Sequence, residues 1–498
     1  MKFSPDYYNN LESKIPTGKF RSRFAPSPTG YMHIGNLRTA LYAYLITKKS
    51  GGTFILRIED TDQERFVEGA TELIYETLSS VGIIPDESPE IGGPVAPYIQ
   101  SERKETYLPY AELLISKGCA YRCFCDKEIL EEQRKIHDAS RIPHKYDGRC
   151  SKLSEDEITA NLEAGKPYVV RQKIPAEGMT HFDDLVYGHI EVDNATLDDQ
   201  ILLKSDGMPT YNFANVVDDH LMGITHIVRG NEYLASTPKY NLLYAGFGWK
   251  VPEYIHVSQI MRDATHKLSK RDGDAYFGDF IDKGYLKEAV LNYVALLGWS
   301  PGTEEEKFTL AEMIEMFDIK GISKSPALFD YKKLNWLNGT YLRTMSAEEF
   351  HAAALPYIKT AVKRDVDTVY IAGVLQERCE LLSDIPEQID FIDELPDYSP
   401  ELYISKKMKT DPENSKEALT QILPILENIS DSDWKQEVIH DELFKFIEQL
   451  GVKNGLILWP LRIAISGKAF TPGGGIEICV ILGKDESIKR IKKAIDML

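Results

Sequence analysis

Two prolines and a glycine, set between an apolar-leaning segment and a run of helical spacing, constrain this chain more than any other stretch. Phe20 to Ala25 leans apolar, and Pro26, Pro28 and Gly30 interrupt it. Ile34, Leu37, Leu41, Tyr44 and Leu45 then recur at helical spacing. The stretch reads as strand, tight turn and helix, with His33 and Gly35 at the helix N-terminus. Exposed backbone N–H groups and the helix dipole make such a position an anion site. Gly35 would let a flat or anionic ligand approach backbone that a side chain would block.

At 498 residues the chain has room for about three to four domains. Apolar content of 43% and charged content of 27% are those of a soluble globular protein. The formal net charge of −19 argues against holding nucleic acid by bulk charge, while leaving room for a local basic face. Six cysteines in so long a chain give no disulfide framework, which points to a reducing cytoplasm. Met1 to Asn10 has no apolar core of signal-peptide type. Ala289 to Trp299, the longest apolar stretch, is broken by Asn292 and Gly298 and is too short to span a bilayer. A soluble cytoplasmic enzyme is expected.

Residues 1–18 read as a loose polar extension. Thr53 to Ile58 follows Gly51-Gly52 and reads as a buried parallel strand. It ends in Glu59-Asp60-Thr61-Asp62, at the carboxyl end where open α/β sheets place ligands. Val67 to Val81 has amphipathic helical spacing. Between 111 and 205 the pattern becomes α+β: helices over Tyr107–Lys117 and Lys127–His137, then short strands at Tyr168–Arg171, His189–Val192 and Ile201–Lys204. The α/β pattern resumes at Pro209, with strands predicted at His226–Val228 and Tyr254–Val257. Arg229 and Glu232 stand at the carboxyl end of the first of these. From about 275 the chain reads helical: Leu286–Leu297, Leu310–Phe317, Ala347–Val362 (broken at Pro356), Asp367–Leu382, Lys416–Ile429, Asp441–Leu450 and Glu486–Leu498.

The string from Arg23 through Asn36 resembles the first signature, usually called HIGH, of class I aminoacyl-tRNA synthetases. Its form here is that of the glutamyl- and glutaminyl-tRNA synthetases. Lys267-Leu268-Ser269-Lys270-Arg271 resembles the second signature, usually written KMSKS, here KLSKR. The resemblance implies adenylyl transfer, in which a carboxylate attacks the α-phosphorus of ATP and pyrophosphate leaves. The protein's task is then positioning and charge stabilisation. By resemblance, His33 is a transition-state hydrogen-bond donor and Lys270 the main phosphate-stabilising cation. Lys267 assists, and Gly35 joins His33 and Lys270 at the ATP, which carries Mg²⁺. In glutamyl-tRNA synthetases the positions matching Arg23, Ala25, Ser27, Glu59, Tyr211, Asn215 and Arg229 form the glutamate site, and each is filled here as that pattern asks. A guanidinium suits bidentate recognition of a carboxylate, so Arg23 and Arg229 are candidates for the side-chain carboxylate and Glu59 for the ammonium.

The architecture so implied is a Rossmann-type parallel-sheet catalytic domain with an α+β insertion, followed by an all-helical anticodon-binding region. The segments would be an extension over 1–18, the two sheet halves over 19–110 and 206–265, and the acceptor-binding insertion over 111–205. The KLSKR loop and a helical junction would occupy 266–345, and the anticodon region 346–498. The reaction implied is glutamate–tRNA ligation by a monomer, with tRNA(Glu) as partner and activation that needs bound tRNA. A glutaminyl-tRNA synthetase is the nearer alternative, disfavoured because that branch usually ends in β-barrels. A non-catalytic tRNA-binding paralogue is the alternative from another class. Arg378 matches roughly an arginine that helps some members tell the glutamate tRNA from the glutamine tRNA. Trp299, Trp336 and Trp459 are expected in the core. Cys123, Cys125 and Cys150 match three ligands of a zinc site found in some bacterial members, but Lys152 stands where the fourth, a histidine, belongs. His137 and His144 are the substitutes at hand. Ordinary buried thiols and no metal are therefore the expectation, since structural zinc wants four N or S ligands.

Overall fold

Residues 3–18 are not a loose extension. In the computed structural model, which describes residues 3–62, 67–140, 144–269 and 275–498, they carry α1 (Pro5–Glu12). Tyr8 is buried in a cluster with Tyr107, Tyr110 and Leu114, and its hydroxyl donates to the Pro109 carbonyl at 2.8 Å. Tyr8 and Leu11 stand three apart on α1, and both pack there together with Ile15 just beyond the helix.

The chain divides into two units, Met1–Asp279 with Val290–Asp330 and Phe280–Ala289 with Tyr331–Leu498. In the first, β1 (Arg21–Phe24) is buried along its whole length although two of its four residues are arginines. Burial of charge requires partners. Arg21 lies in the fork of Glu87, at 2.8 and 2.9 Å, and Arg23 in that of Asp219. Gly30, at φ 115°, makes the turn that a side chain would resist. α2 (Ile34–Lys49) is buried on nearly every side, and it leads to β2 (Thr53–Leu56), parallel to β1 from Arg21↔Thr53 to Phe24↔Leu56.

α3 (Ala70–Ser80) starts three residues after the predicted Val67, behind Gly69 at φ 81°. α4 (Lys104–Ser116), β3 (Ala120–Cys123), α5 (Lys127–Ser140) and α6 (Glu155–Glu163) follow. β4 (Val169–Gln172) pairs antiparallel with β3 and with β7 (Ile201–Leu203), giving a three-stranded sheet. β5 (Met179–Asp184) and β6 (Gly188–Asp193) form a hairpin that leaves this sheet and joins another. There β5 meets β9 (Glu253–Val257) through Asp184↔Tyr254. β9 in turn pairs parallel with β8 (His226–Gly230), giving the order β6-β5-β9-β8. β8 lies beside β1, where the Thr225 N–H donates to the Arg21 carbonyl at 2.9 Å. The sheet is thus parallel at its centre and antiparallel at the hairpin. α7 (Tyr211–Leu221) follows β7 and α8 (Thr237–Phe247) follows β8.

The second unit is helical around a core that includes Leu375, Ile422, Leu443, Leu461 and Ile491. Its Ala347–Ala361 helix runs straight through Pro356, where the sequence predicts a break. A proline inside a helix costs about 3 kcal/mol, and the buried stripe of Phe350, Ala354 and Ile358 offsets it. Pro412–Asn428 begins four residues earlier than predicted because Asp411 caps it. Trp299 is buried in the first unit. In the second, Trp459 is half-buried and Trp336 is exposed, contrary to expectation, with the Lys333 ammonium over its ring.

Candidate active site

Nine of the residues singled out in the sequence, Arg23, Ala25, Ser27, His33, Gly35, Glu59, Tyr211, Arg229 and Lys267, line one cavity of about 740 Å³. Asn215 does not line it: it is buried one turn along α7, where its Nδ2 donates to the Tyr211 carbonyl at 2.9 Å. Lys270 lies outside the described residues. Arg378 belongs to the helical unit, is exposed just past the Thr368–Gln376 helix, and donates to the Thr471 carbonyl at 3.3 Å.

His33 is the N-cap of α2, and its Nδ1 accepts the Gly35 N–H at 3.0 Å. In the neutral ring the proton then sits on Nε2, which makes that nitrogen a donor. A Cβ at position 35 would come within 3.1 Å of His33 Nδ1, tight enough to displace the ring slightly. Arg38, on α2, donates to the Leu297 carbonyl at 2.8 Å and to the Ser258 carbonyl, anchoring the helix beneath the cavity.

A chain of buried charges lies behind Arg23. Asp219, wholly buried, accepts from Arg23 Nε at 2.9 Å and Nη2 at 3.2 Å, and it also pairs with Arg57 Nη1 at 2.8 Å. Burial opposes its ionisation, yet the two guanidinium groups hold the carboxyl below its ordinary range. Arg57 Nη2 reaches Glu59 Oε1 at 3.0 Å, and Gln100 reaches the same oxygen at 3.4 Å. Burial pushes the Glu59 carboxyl up to about 7, with Arg57 and Arg23 pulling against it. Neighbouring Asp218, also buried, takes Gln100, Arg103 and Tyr107 at 2.9, 2.6 and 2.8 Å.

Arg229 is held differently. Its Nε donates to His256 Nε2 at 3.0 Å and its Nη2 to Thr237 Oγ1 at 2.9 Å, while its Nη1, buried, has no hydrogen-bond partner. The rings of Tyr240, Tyr254 and Tyr233 lie 4.7, 5.1 and 5.4 Å from the guanidinium carbon. None of the hydrogen-bonding groups around it is an anion. Sequence reasoning missed Arg57, Asp219, Thr237 and His256.

A second cluster lies away from the cavity. The Cys123, Cys125 and Cys150 sulfurs fall within 4.8 Å of one another. The Tyr146 hydroxyl is 3.3 Å from the sulfurs of Cys123 and Cys125 and accepts the Cys150 N–H at 3.3 Å. Hydrogen bonding from Cys150 and Tyr146 draws the Cys123 thiol down to about 4, against its burial. His144 instead pairs with Asp138, and His137 accepts the Lys145 N–H, so neither completes the set. The Tyr146 phenol, four residues before Cys150, is the polar group that the three cysteines share.

A strand-end cavity with a histidine-capped helix N-terminus and a lysine-bearing loop defines a class I tRNA synthetase core. The catalytic-domain family of class I tRNA synthetases (E and Q) matches residues 19–336, and an anticodon binding domain family matches 349–495. Over 480 residues the chain is 60% identical to a glutamate–tRNA ligase of Clostridium botulinum (strain Eklund 17B / Type B), covering 96% of this chain and 99% of that protein. It is 61% identical to that of Clostridium tetani (strain Massachusetts / E88), again over 480 residues, covering 96% and 98%. The crystal structure of a glutamate tRNA ligase from Elizabethkingia meningosepticum in complex with its amino acid superposes with a TM-score of 0.86. It is 37% identical and covers 97% of this chain and 100% of its own. The chain belongs to the glutamate–tRNA ligase family. Its activity is that of an aminoacyl-tRNA ligase, which uses ATP. Among the described residues no helix is long and apolar enough to cross a membrane.

Proposed function

We propose that the chain activates glutamate with ATP-Mg²⁺ and passes the glutamyl group to the 3′-terminal ribose of tRNA(Glu), acting as a cytoplasmic monomer. In the first step the glutamate α-carboxylate oxygen bonds to the α-phosphorus and pyrophosphate leaves. In the second the ribose hydroxyl takes the acyl group and AMP leaves. The observation that carries this reading is Arg229, a residue of the cavity lining whose buried Nη1 has no hydrogen-bond partner, a guanidinium that a side-chain carboxylate would satisfy. Glu59 receives the ammonium, while Ala25, Ser27, Tyr211 and Arg23 shape the rest of the glutamate site. Asn215 supports Tyr211 from behind. His33 donates from Nε2 to the phosphates, Gly35 lets them approach the helix, and Lys267 and Lys270 bring positive charge to them. Segments 19–110 and 206–265 form the catalytic sheet domain, 111–205 receives the acceptor end, and 266–345 is the junction. The segment 346–498, with Arg378, reads the anticodon.

Pyrophosphate exchange tests this, run with glutamate or glutamine and with or without each purified tRNA. Exchange with glutamate that depends on tRNA(Glu), and that Lys270→Ala abolishes while tRNA binding persists, is the expected result. Exchange with glutamine overturns the roles of Arg23 and Arg229. Zinc on the three thiols and Tyr146 would be structural, a brace within the insertion. Metal analysis should find one zinc per chain, lost in Cys125→Ser. A metal-free chain with reactive thiols would return the cluster to the ordinary thiols expected from sequence.

A further inference from the structure

The support behind Arg229 runs two residues deep. The pair Asp184↔Tyr254 joins β5 to β9 and sets Asp184 beside His256, both buried. Asp184 Oδ2 accepts the His256 backbone N–H at 3.1 Å and lies 2.6 Å from ring Nδ1. Asp184 Oδ1 accepts the Val186 and Tyr187 N–H groups at 2.9 and 2.7 Å. An ionised carboxylate only accepts, so Nδ1 carries the ring proton and Nε2 is left with a lone pair. Arg229 Nε donates to that lone pair at 3.0 Å. Burial takes the imidazole down to about 4, Asp184 opposing this and Arg229 adding to it, so the ring stays neutral near pH 7. On the other side, Thr237 accepts from Arg229 Nη2 and gives its own proton to the Tyr233 carbonyl at 2.9 Å. Both anchors hold the Nε–Nη2 side of the guanidinium and leave the Nη1 end over.

We infer that Asp184 and His256 are positioning residues for substrate specificity, orienting Arg229 through a neutral acceptor so that its whole charge remains for a side-chain carboxylate. The inference rests on the glutamate site proposed above. A carboxylate in the place of His256 would hold Arg229 equally well but would neutralise it before substrate arrived. With a neutral partner the buried cation gains far more from glutamate than from the amide of glutamine. Asp184 sets the tautomer: without its negative charge the ring can turn its proton toward Nε2, where it would face the Arg229 N–H, donor against donor.

The test is steady-state pyrophosphate exchange and aminoacylation with His256→Leu, His256→Gln and Asp184→Asn. His256→Leu removes the acceptor, and Asp184→Asn loosens the tautomer. Each should raise KM for glutamate by about 10- to 100-fold and narrow the preference for glutamate over glutamine, with KM for ATP and tRNA unchanged. His256→Gln returns an acceptor oxygen and should stay within about threefold of wild type. Equal losses in the Gln and Leu variants, or a fall in kcat with KM for glutamate unmoved, would overturn the inference. Nitrogen NMR of the wild-type imidazole gives a check independent of how the variants fold: a proton on Nε2 also overturns it. If the unmodified chain sustains no exchange with glutamate, it is the glutamate site itself that fails.

Discussion

Arg23 and Arg229 line the same cavity, yet one carries its counter-charge with it and the other does not. Asp219 grips Arg23 with both oxygens and also serves Arg57, so that side of the site is a closed circuit of charge. Arg229 has a neutral imidazole, a hydroxyl and three tyrosine rings. Sequence reasoning offered the two arginines as equals. On the proposed reading the difference in pairing separates their work: Arg23 would be part of the scaffold that steadies Glu59, and Arg229 the cation left over for the substrate. A buried charge without an anion is a cost to the fold that only the ligand relieves.

The sharpest way to break the comparison is to replace each arginine by methionine. Arg229→Met should raise KM for glutamate roughly a thousandfold while raising the thermal midpoint, because a buried unpaired charge is gone. Arg23→Met should do the reverse to stability, lowering it by about 3 kcal/mol, since Asp219 loses one of its two cations. Equal midpoints in the two variants would erase the distinction. Asp219→Asn comes next. An amide cannot balance two guanidinium groups, and a loss of about 3 kcal/mol in denaturant unfolding is expected.

The Glu59 side has a pH signature that the Arg229 side lacks. With its carboxyl lifted to about 7 by burial, Glu59 is largely protonated in the free enzyme below that pH and cannot pair with an ammonium. KM for glutamate should therefore climb about tenfold per unit as pH falls below 7, and level off above it. The same raised value means that the folded state holds a proton the unfolded chain has released. The share of stability that Glu59 contributes, read as the difference in unfolding free energy between wild type and Glu59→Gln, should thus decline from about pH 4.5 to 7 and then hold constant. His256 works the other way: burial takes its imidazole from 6.5 down to about 4, the unfolded chain binds a proton that the folded ring does not, and its share of the stability rises with pH from about 4 to 6.5.

What the sequence disclosed of this site follows from where each residue sits. His33, Gly35, Glu59 and Arg229 stand beside turns or strand ends, where local pattern marks them. Asp218 and Asp219 read as the polar end of a helix, yet both are wholly buried. Asp219 falls four residues after buried Asn215 and Asp218 four after buried Ala214, a spacing that could have revealed them. Asp184 and His256 are 72 residues apart and meet only through the register of β5 on β9, which no local pattern reports. In the helical unit periodicity located the helices Ala347–Ala361, Pro412–Asn428, Gln436–Leu450 and Lys484–Met497 but not Gly455–Ser466 or Gly475–Leu482, and the helix predicted to reach Leu382 stops at Gln376. At Asp411 and Pro356 side-chain bonding and packing overrule propensity.

The smallest expected effect concerns the ring closest to the Arg229 charge. Tyr240 lies 4.7 Å from the guanidinium carbon, and its hydroxyl donates to Asn212 Oδ1 at 2.6 Å. Its two possible contributions, the π face and the hydrogen bond, separate cleanly. Tyr240→Phe keeps the face and loses the bond; Tyr240→Leu loses both. If the aromatic cage is what makes an unpaired cation tolerable, the Leu variant should bind glutamate about fivefold more weakly than the Phe variant, the worth of one modest cation–π contact. The gap should vanish in the Arg229→Met background, because no cation remains for the ring to face. A gap that persists there would mean that Tyr240 shapes the pocket by volume alone, and the contrast between the two arginines would then rest on His256 and Thr237.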